Sequence, residues 1–403
     1  MILKYEWKKI VCNRINQIAM LVGYIIMAVT VIVPIKSEYS YVYQKGITHQ
    51  GIEAVKYEQQ FAKDQTDYLT EDYLTGQLQK LQQMNLDLES DDGFLTAQDE
   101  FGSLFMYLMN SYSDIHNTQY EYDRLNELDL SNGADFYERR IQKLTDYLNL
   151  YHEEGNYNDA EKDYWISHAK SVTTPFKWGS TTVVEFYRNV LELGFYLMLV
   201  IAICVASVFA GENESGTADI LLSSKNGRKK MIWAKVAASL LFSISYVGIG
   251  YGLSCLGIYA LVGADGFDLP VQLFANEIPY SMTMGQLMLL QLLASFAMII
   301  LTVGLILAIS ALTRSSMATS VSMLVLLVGP EFLKFTDNRI YNHILALTTV
   351  RLADLKQCVC QFMDYRIGSH VVGLIPVSIT THFAVGFLLL VICRFLWVRR
   401  SIR

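Results

Sequence analysis

The chain has 403 residues, 52% hydrophobic and 18% charged, with a mean hydropathy of +0.26 and a formal net charge of −7 at pH 7. It is too apolar for an ordinary soluble domain and too charged to be wholly embedded, which leaves a membrane protein carrying a polar domain. None of its cysteines falls between Lys36 and Glu192, which argues against a disulfide framework there, and the Cys358-x-Cys360 pair has no nearby His or further Cys to complete a metal site.

At the N-terminus, Ile2, Leu3, Trp7 and Ile10 alternate with Lys4, Glu6, Lys8 and Lys9. The pattern predicts an amphipathic helix within residues 1–14 at the headgroup level, where Trp is stabilised and Lys snorkels. Residues 15–35 are free of charge, long enough for a hydrocarbon core of about 30 Å, and followed by no small-x-small cleavage site, so they read as a retained first span.

Residues 36–190 form a polar domain of ordinary size in which acids well outnumber bases. Thr70, followed by Glu71 and Asp72, predicts a helix start, with Leu74, Leu78 and Leu81 on one stripe. Asp135 and Glu138 predict a capping box opening a second helix, whose stripe is Tyr137, Ile141, Leu144, Leu148 and Tyr151. Tyr107, Tyr112 and their neighbours are expected as core and interface packing, with a peptide-binding surface as the alternative.

Five further spans are expected at 191–211, 236–263, 287–312, 315–333 and 370–393, the fifth of the six being the shortest. A charge at a helix centre costs about 2.5–3.5 kcal/mol, against about 0.3–0.6 gained per Leu or Ile, so charge-free runs are a selective signal. The expected fold class is therefore an all-α membrane protein with six transmembrane helices and a large helical extracytoplasmic domain between the first and second. Lys and Arg cluster before the first span, in 212–235 and in the tail 394–403, which makes those segments and both termini cytoplasmic. The acidic loop 264–286 then lies outside. So does the loop 334–369, whose Lys334, Arg339, Arg351, Lys356 and Arg366 run against the rule. Gly248 and Gly252 form a GxxxG that intra-subunit packing and dimerisation explain equally well. His382 lies halfway along the last span, a depth that makes an ionisable group a functional candidate; a neutral His bonded to a neighbouring helix is the competing account.

Between the second and third spans, FAGENESGTADILLSSKNGRKKMIWAK puts three acids, a short apolar helix and a basic cluster within residues 209–235. Ser215 or Thr217 can cap a helix running to Leu222, and Ile220, Leu221 and Leu222 are too few to span anything, so this handle must rest on the membrane surface or on another protein. The order of apolar span, FAGENESGTADILLSSKNGR, Lys and apolar span resembles the permease subunits of ABC-2 type transporters. TTPFKWG at 173–179, the basic amphipathic start and the large insert after the first span extend the resemblance over most of the chain.

The resemblance implies that the handle is a coupling helix docked on a separate ATPase, with Glu212, Glu214, Gly216, Thr217, Leu221, Leu222 and Arg228 in that place. It also implies two ATPase subunits and a second permease subunit, either a copy of this chain or a related one. The sequence contains no GxxxxGK[ST] and no HExxH, so ATP and Mg2+ are expected in the partner, with no cofactor, catalytic residue or metal of the chain's own and no nucleic-acid partner. An acidic outer domain attracts cationic peptides, which points to export of, or immunity to, a bacteriocin or lantibiotic across a bacterial plasma membrane. Two rivals stay open: a non-transporting sensor or scaffold with a peptide- or wall-binding outer domain, and mechanotransmission without a pore.

Overall fold

The computed structural model describes residues 2–38, 41–44, 47–113, 122–150, 157–224, 227 and 230–399, and these are mostly helical. Helix α1 (Ile2–Val11) packs its Glu6 and Ile10 face onto a later span. Asn13 caps α2 (Arg14–Val33) by accepting from the Ile15 amide.

The polar domain follows as α3 (Ile52–Gln65), α4 (Glu71–Met84), α5 (Asp91–Phe101), α6 (Ser103–Tyr112), α7 (Phe136–Asn149) and α8 (Asp159–Lys170). It is not purely helical. Tyr41–Gln44 pairs antiparallel with Ile47–Gln50, and Tyr68–Leu69 with Phe176–Lys177. Thr70 caps α4 through the Tyr73 amide, and Leu74, Leu78 and Leu81 are buried along its stripe.

The start of α7 differs from the expected capping box. Asp135 adopts a left-handed conformation (φ 47°) instead of the extended one that capping needs, and makes no side-chain cap bond. Glu71 reaches over from α4 instead, its carboxylate accepting from the Phe136 and Tyr137 amides at 3.1 and 2.9 Å. The fully buried residues of α7 are Phe136, Arg140, Leu144 and Leu148, while Tyr137 and Ile141 are half-buried and pack against the core; Tyr151 lies outside the described residues.

Helices α9 (Thr182–Glu192) and α10 (Gly194–Glu214) follow one another almost without a break, a rod of 33 residues and about 50 Å. The short α11 (Ala218–Ser223), α12 (Lys230–Val262), α13 (Met284–Thr313) and α14 (Ser316–Val328) come next. Then follow α15 (Arg339–Ala346), α16 (Thr349–Ala353), α17 (Leu355–Cys360) and α18 (Leu374–Val398).

Five helical stretches among the described residues are long and apolar enough to cross a membrane: α2, the rod, α12, α13 and α18. The segment expected as a further span is shorter. Its α-helix has 13 residues, about 20 Å, extended by a 3-10 turn over Gly329–Phe332. Its first residues bond to Glu214 at the end of the rod, and Arg339, seven residues after the turn, bonds to Glu161 of the polar domain. The segment thus links the two ends of the molecule without a full-length helix.

Close helix approach in α12 falls on other residues than the GxxxG. Among the described residues a Cβ at Gly248 or Gly252 would meet nothing within 4 Å, so the motif makes no close helix contact within the described part of the subunit. The inward positions are Gly250, against Met27 and Leu197, and Tyr246 and Tyr251, whose hydroxyls donate to the Met20 and Leu191 carbonyls. Helices α13 and α18 meet at Gly304 and Gly386, where a Cβ on Gly386 would lie 2.7 Å from the Leu301 nitrogen.

The stretches expected as plain loops are folded pieces that dock on the polar domain. In 264–286, Gln272 donates to the Ile278 and Tyr280 carbonyls, while Arg140 of α7 donates to the carbonyls of Asn276, Ile278 and Ala169. In 334–369 the strand Asp364–Ile367 pairs with His370–Gly373, and Trp165 donates to Asp364 at 3.0 Å. Four of the five basic residues that run against the charge rule are occupied by other groups of the protein. Arg339 and Arg366 pair with Glu161, Lys356 pairs with Glu185, and Arg351 donates to the Leu333 carbonyl.

Candidate functional site

The handle is built from the end of α10 upward. Gly216 takes φ 69°, its amide bonds back to the Asn213 carbonyl, and the Thr217 amide bonds to the Glu212 carbonyl. This pair of bonds is a Schellman ending, which needs a left-handed residue at the Gly216 position and turns the chain sharply out of the rod. Thr217 then stands at the head of α11 but makes no cap bond; its hydroxyl meets Ser215 at 2.9 Å instead. Ala218 and Leu222 are buried, Leu221 is half-buried, and Asp219 and Ile220 face outward, Ile220 being 70% exposed. Arg228 lies outside the described residues.

The two acids expected on the docking surface are turned toward the permease. Glu214 accepts from the Ser316 amide and hydroxyl at 2.7 and 2.9 Å, holding the first turn of α14. Glu212 is 5% exposed and belongs to a buried ion cluster. At its centre Lys235 of α12, only 1% exposed, directs its ammonium to Glu212 Oε1 at 2.5 Å, Glu6 Oε2 at 2.9 Å and the Val208 carbonyl at 3.0 Å. All three of its N–H donors are thereby used. Lys9 adds a second cation, 3.2 Å from Glu212 and 3.6 Å from Glu6. Two carboxylates and two ammonium groups balance, so α1, α10 and α12 are joined by a neutral unit at the root of the handle.

Nothing in the spacing of Glu6, Glu212 and Lys235 announces this cluster. The available signal was Lys235 itself, which stands within a helix whose following residues, to Val262, carry no charge. A second polar tie lies nearby: the Ser310 hydroxyl of α13 donates to the Ala206 carbonyl at 2.6 Å and accepts from the Ala210 amide at 2.9 Å. A side chain set into the helical ladder in this way is a recognised place for a helix to bend. His382 is buried apart from the handle. Its Nδ1 lies 2.8 Å from the Ser378 carbonyl one turn back and its Nε2 3.4 Å from the Thr349 hydroxyl, a pairing that suits a neutral ring donating from Nδ1.

The geometry therefore offers a projecting apolar and acidic edge, locked to two membrane helices. No curated protein matches the chain. A family model described as ABC-2 family transporter protein matches residues 1–333, from α1 through the handle and α14. The chain belongs to the ABC-2 family of transporter proteins, as a multi-pass membrane permease of an ABC transporter.

Proposed function

We propose that this chain is the permease subunit of an ATP-driven exporter, and that α11 is the point at which a partner ATPase pushes. The observation that carries this reading is the exposed Asp219–Ile220 edge of α11, backed by buried Ala218 and Leu222 and rooted through Glu212 and Lys235 in α10 and α12. An apolar side chain exposed beside an acid on a rigid base suits a protein partner. In this reading the handle and both termini face the cytoplasm of a bacterial plasma membrane, and the short α14 segment completes a sixth crossing. Two ATPase subunits bind ATP and Mg2+ beneath a pair of permeases, either two copies of this chain or this chain with a related one.

Glu212, Glu214, Gly216, Thr217, Leu221 and Leu222 then shape and anchor the handle, while Asp219 and Ile220 touch the ATPase. Closure of the ATPases tilts α10 and α12 together, because the ion cluster makes them one body, and the rod carries the displacement to the polar domain. The acids of 36–190 outnumber its bases roughly two to one, which supports a cationic antimicrobial peptide as the exported or expelled substrate. The rod's continuity from polar domain to handle also favours a second reading, in which the outer domain is moved to expel such a peptide from the membrane without a pore.

Ile220→Glu is expected to reduce co-purification of the ATPase and substrate-stimulated ATP hydrolysis about tenfold, equivalent to about 1.4 kcal/mol, with no change in the thermal unfolding of the isolated permease. Glu214→Ala, which loses one exposed anchoring contact to Ser316 within the permease, should weaken coupling far less than Ile220→Glu. Wild-type ATPase binding and stimulation in the Ile220→Glu variant would remove the handle from the mechanism.

A further inference from the structure

At the far end of the rod from the handle lies a cavity of about 420 Å3, within the size range of small-molecule sites. It is an open cleft lined by α3, α6, α7, the segment 178–181 leading into α9, and residues 273–277 of the loop before α13. Tyr107, Trp178 and Phe274 contribute aromatic walls. The polar tips of the first two are already engaged, Trp178 Nε1 by Gln65 at 3.0 Å and the Tyr107 hydroxyl by the Gln272 carbonyl at 3.2 Å, so they offer the cavity ring surface. Glu58 and Glu277 supply carboxylates, and the Asn276 amide oxygen is buried there with no hydrogen-bond partner among the described residues.

The charges do not cancel. Lys143 lies 3.8 Å from Glu277, and Arg140 is turned onto the carbonyls of Ala169, Asn276 and Ile278. Glu58 has the Thr182 hydroxyl at 2.6 Å and no cation among the described residues. Burial raises its carboxyl above the ordinary range, the Thr182 hydrogen bond opposing this. A half-buried carboxylate without a counter-ion gains from an incoming cation, and aromatic faces stabilise the same charge.

We propose that this cavity binds an alkylammonium group, as carried by a lysine side chain of an extracellular peptide or by a free polyamine, with Glu58 as its counter-ion and Tyr107 and Trp178 as its aromatic walls, the Phe274 ring being already engaged by the Lys356 ammonium 4.3 Å from its centroid. The assignment deepens the export reading and rests on it for the outward orientation of the polar domain. It also has a mechanical consequence. Thr181 and Thr182 form the first turn of the rod, so an occupant drawn to Glu58 pulls on the helix whose other end carries the handle.

The test is binding of tetralysine, fully acetylated tetralysine and spermidine to the full-length permease in detergent, followed by calorimetry. Tetralysine should bind and its acetylated form should not; spermidine binding as tightly as tetralysine assigns the cavity to free polyamines, and weaker spermidine binding assigns it to peptides. Glu58→Gln should weaken tetralysine at least tenfold. Asn110→Lys, which adds a cation at an exposed rim position where misfolding is not at issue, should weaken it to a similar degree. Retention of binding in Ile220→Glu supports the site independently of the handle. Equal affinity of wild type, Glu58→Gln and Asn110→Lys, or binding of acetylated tetralysine, overturns it even where the handle variants uncouple ATP hydrolysis.

Discussion

Lys235→Met is expected to destabilise the isolated permease by about 3–5 kcal/mol, because it strands two carboxylates, Glu6 and Glu212, in a site where both are almost fully buried. Lys9 cannot take over: its side chain is 43% exposed, and it already lies against both acids from the solvent side. Thermal unfolding in detergent should show a fall of many degrees. Removing the acids as well, in Glu6→Gln/Glu212→Gln/Lys235→Met, should recover most of the loss, since a neutral set of similar volume no longer needs a counter-ion. Arginine at 235 should not substitute, because its planar fork cannot reproduce three bonds radiating from one ammonium. A Lys235→Met permease that unfolds with the wild type would mean that the cluster is not formed.

The recovered triple variant separates stability from mechanism. If the cluster serves to make α1, α10 and α12 move as one body, the triple variant should fold yet transmit ATPase closure poorly. If it serves folding alone, stimulation should return with stability.

The second large effect is expected in the polar domain at Glu161, which no solvent reaches. Its carboxylate accepts from Arg339 at 2.7 Å, from Arg366 at 3.1 Å and, as the third residue of α8, from the Asn158 amide at 2.9 Å. Glu161→Gln should cost about 2–3 kcal/mol at pH 7 by releasing both arginines and the capping box. Burial alone would raise this carboxyl, but the hydrogen bonds from Arg339 and Asn158 outweigh it and hold it down to about 2. Asp364 shows the opposite balance. Burial and the neighbouring Glu161 charge push it up to about 6, against the Trp165 N–H and the charges of Arg339 and His343.

The two shifts have opposite signs in the pH dependence. For Glu161 the folded state favours the ionised form, so its contribution is complete above the ordinary 4.5 and is lost as pH falls toward 2. For Asp364 the folded state favours the protonated form, so its contribution is complete below the ordinary 3.8 and is lost as pH rises through 6. Unfolding temperature should therefore rise on acidification from pH 7 to about 5 and fall below about 4. Each limb is worth about 1–2 kcal/mol after screening through the partly exposed arginines. Asp364→Asn should flatten the upper limb and Glu161→Gln the lower one. A profile unchanged by either substitution would contradict the ion network.

The sequence by itself determined the membrane class, the long apolar runs, the polar insert and the short apolar helix of the handle. These follow from costs that act locally: charge in hydrocarbon and unsatisfied backbone in lipid. What only the tertiary structure decided was how the charges are used. Glu6 and Lys235 lie 229 positions apart, and Glu161 and Arg366 lie 205 apart; no periodicity connects such residues. Glu212 consequently reads in sequence as an exposed docking acid and folds as a buried strut, while Arg339 and Arg366 read as topological exceptions and fold as partners of Glu161. The physical reason is that an ion buried away from water must find its counter-charge wherever the packed helices bring one, so pairing is a property of the assembled core and leaves almost no trace along the chain.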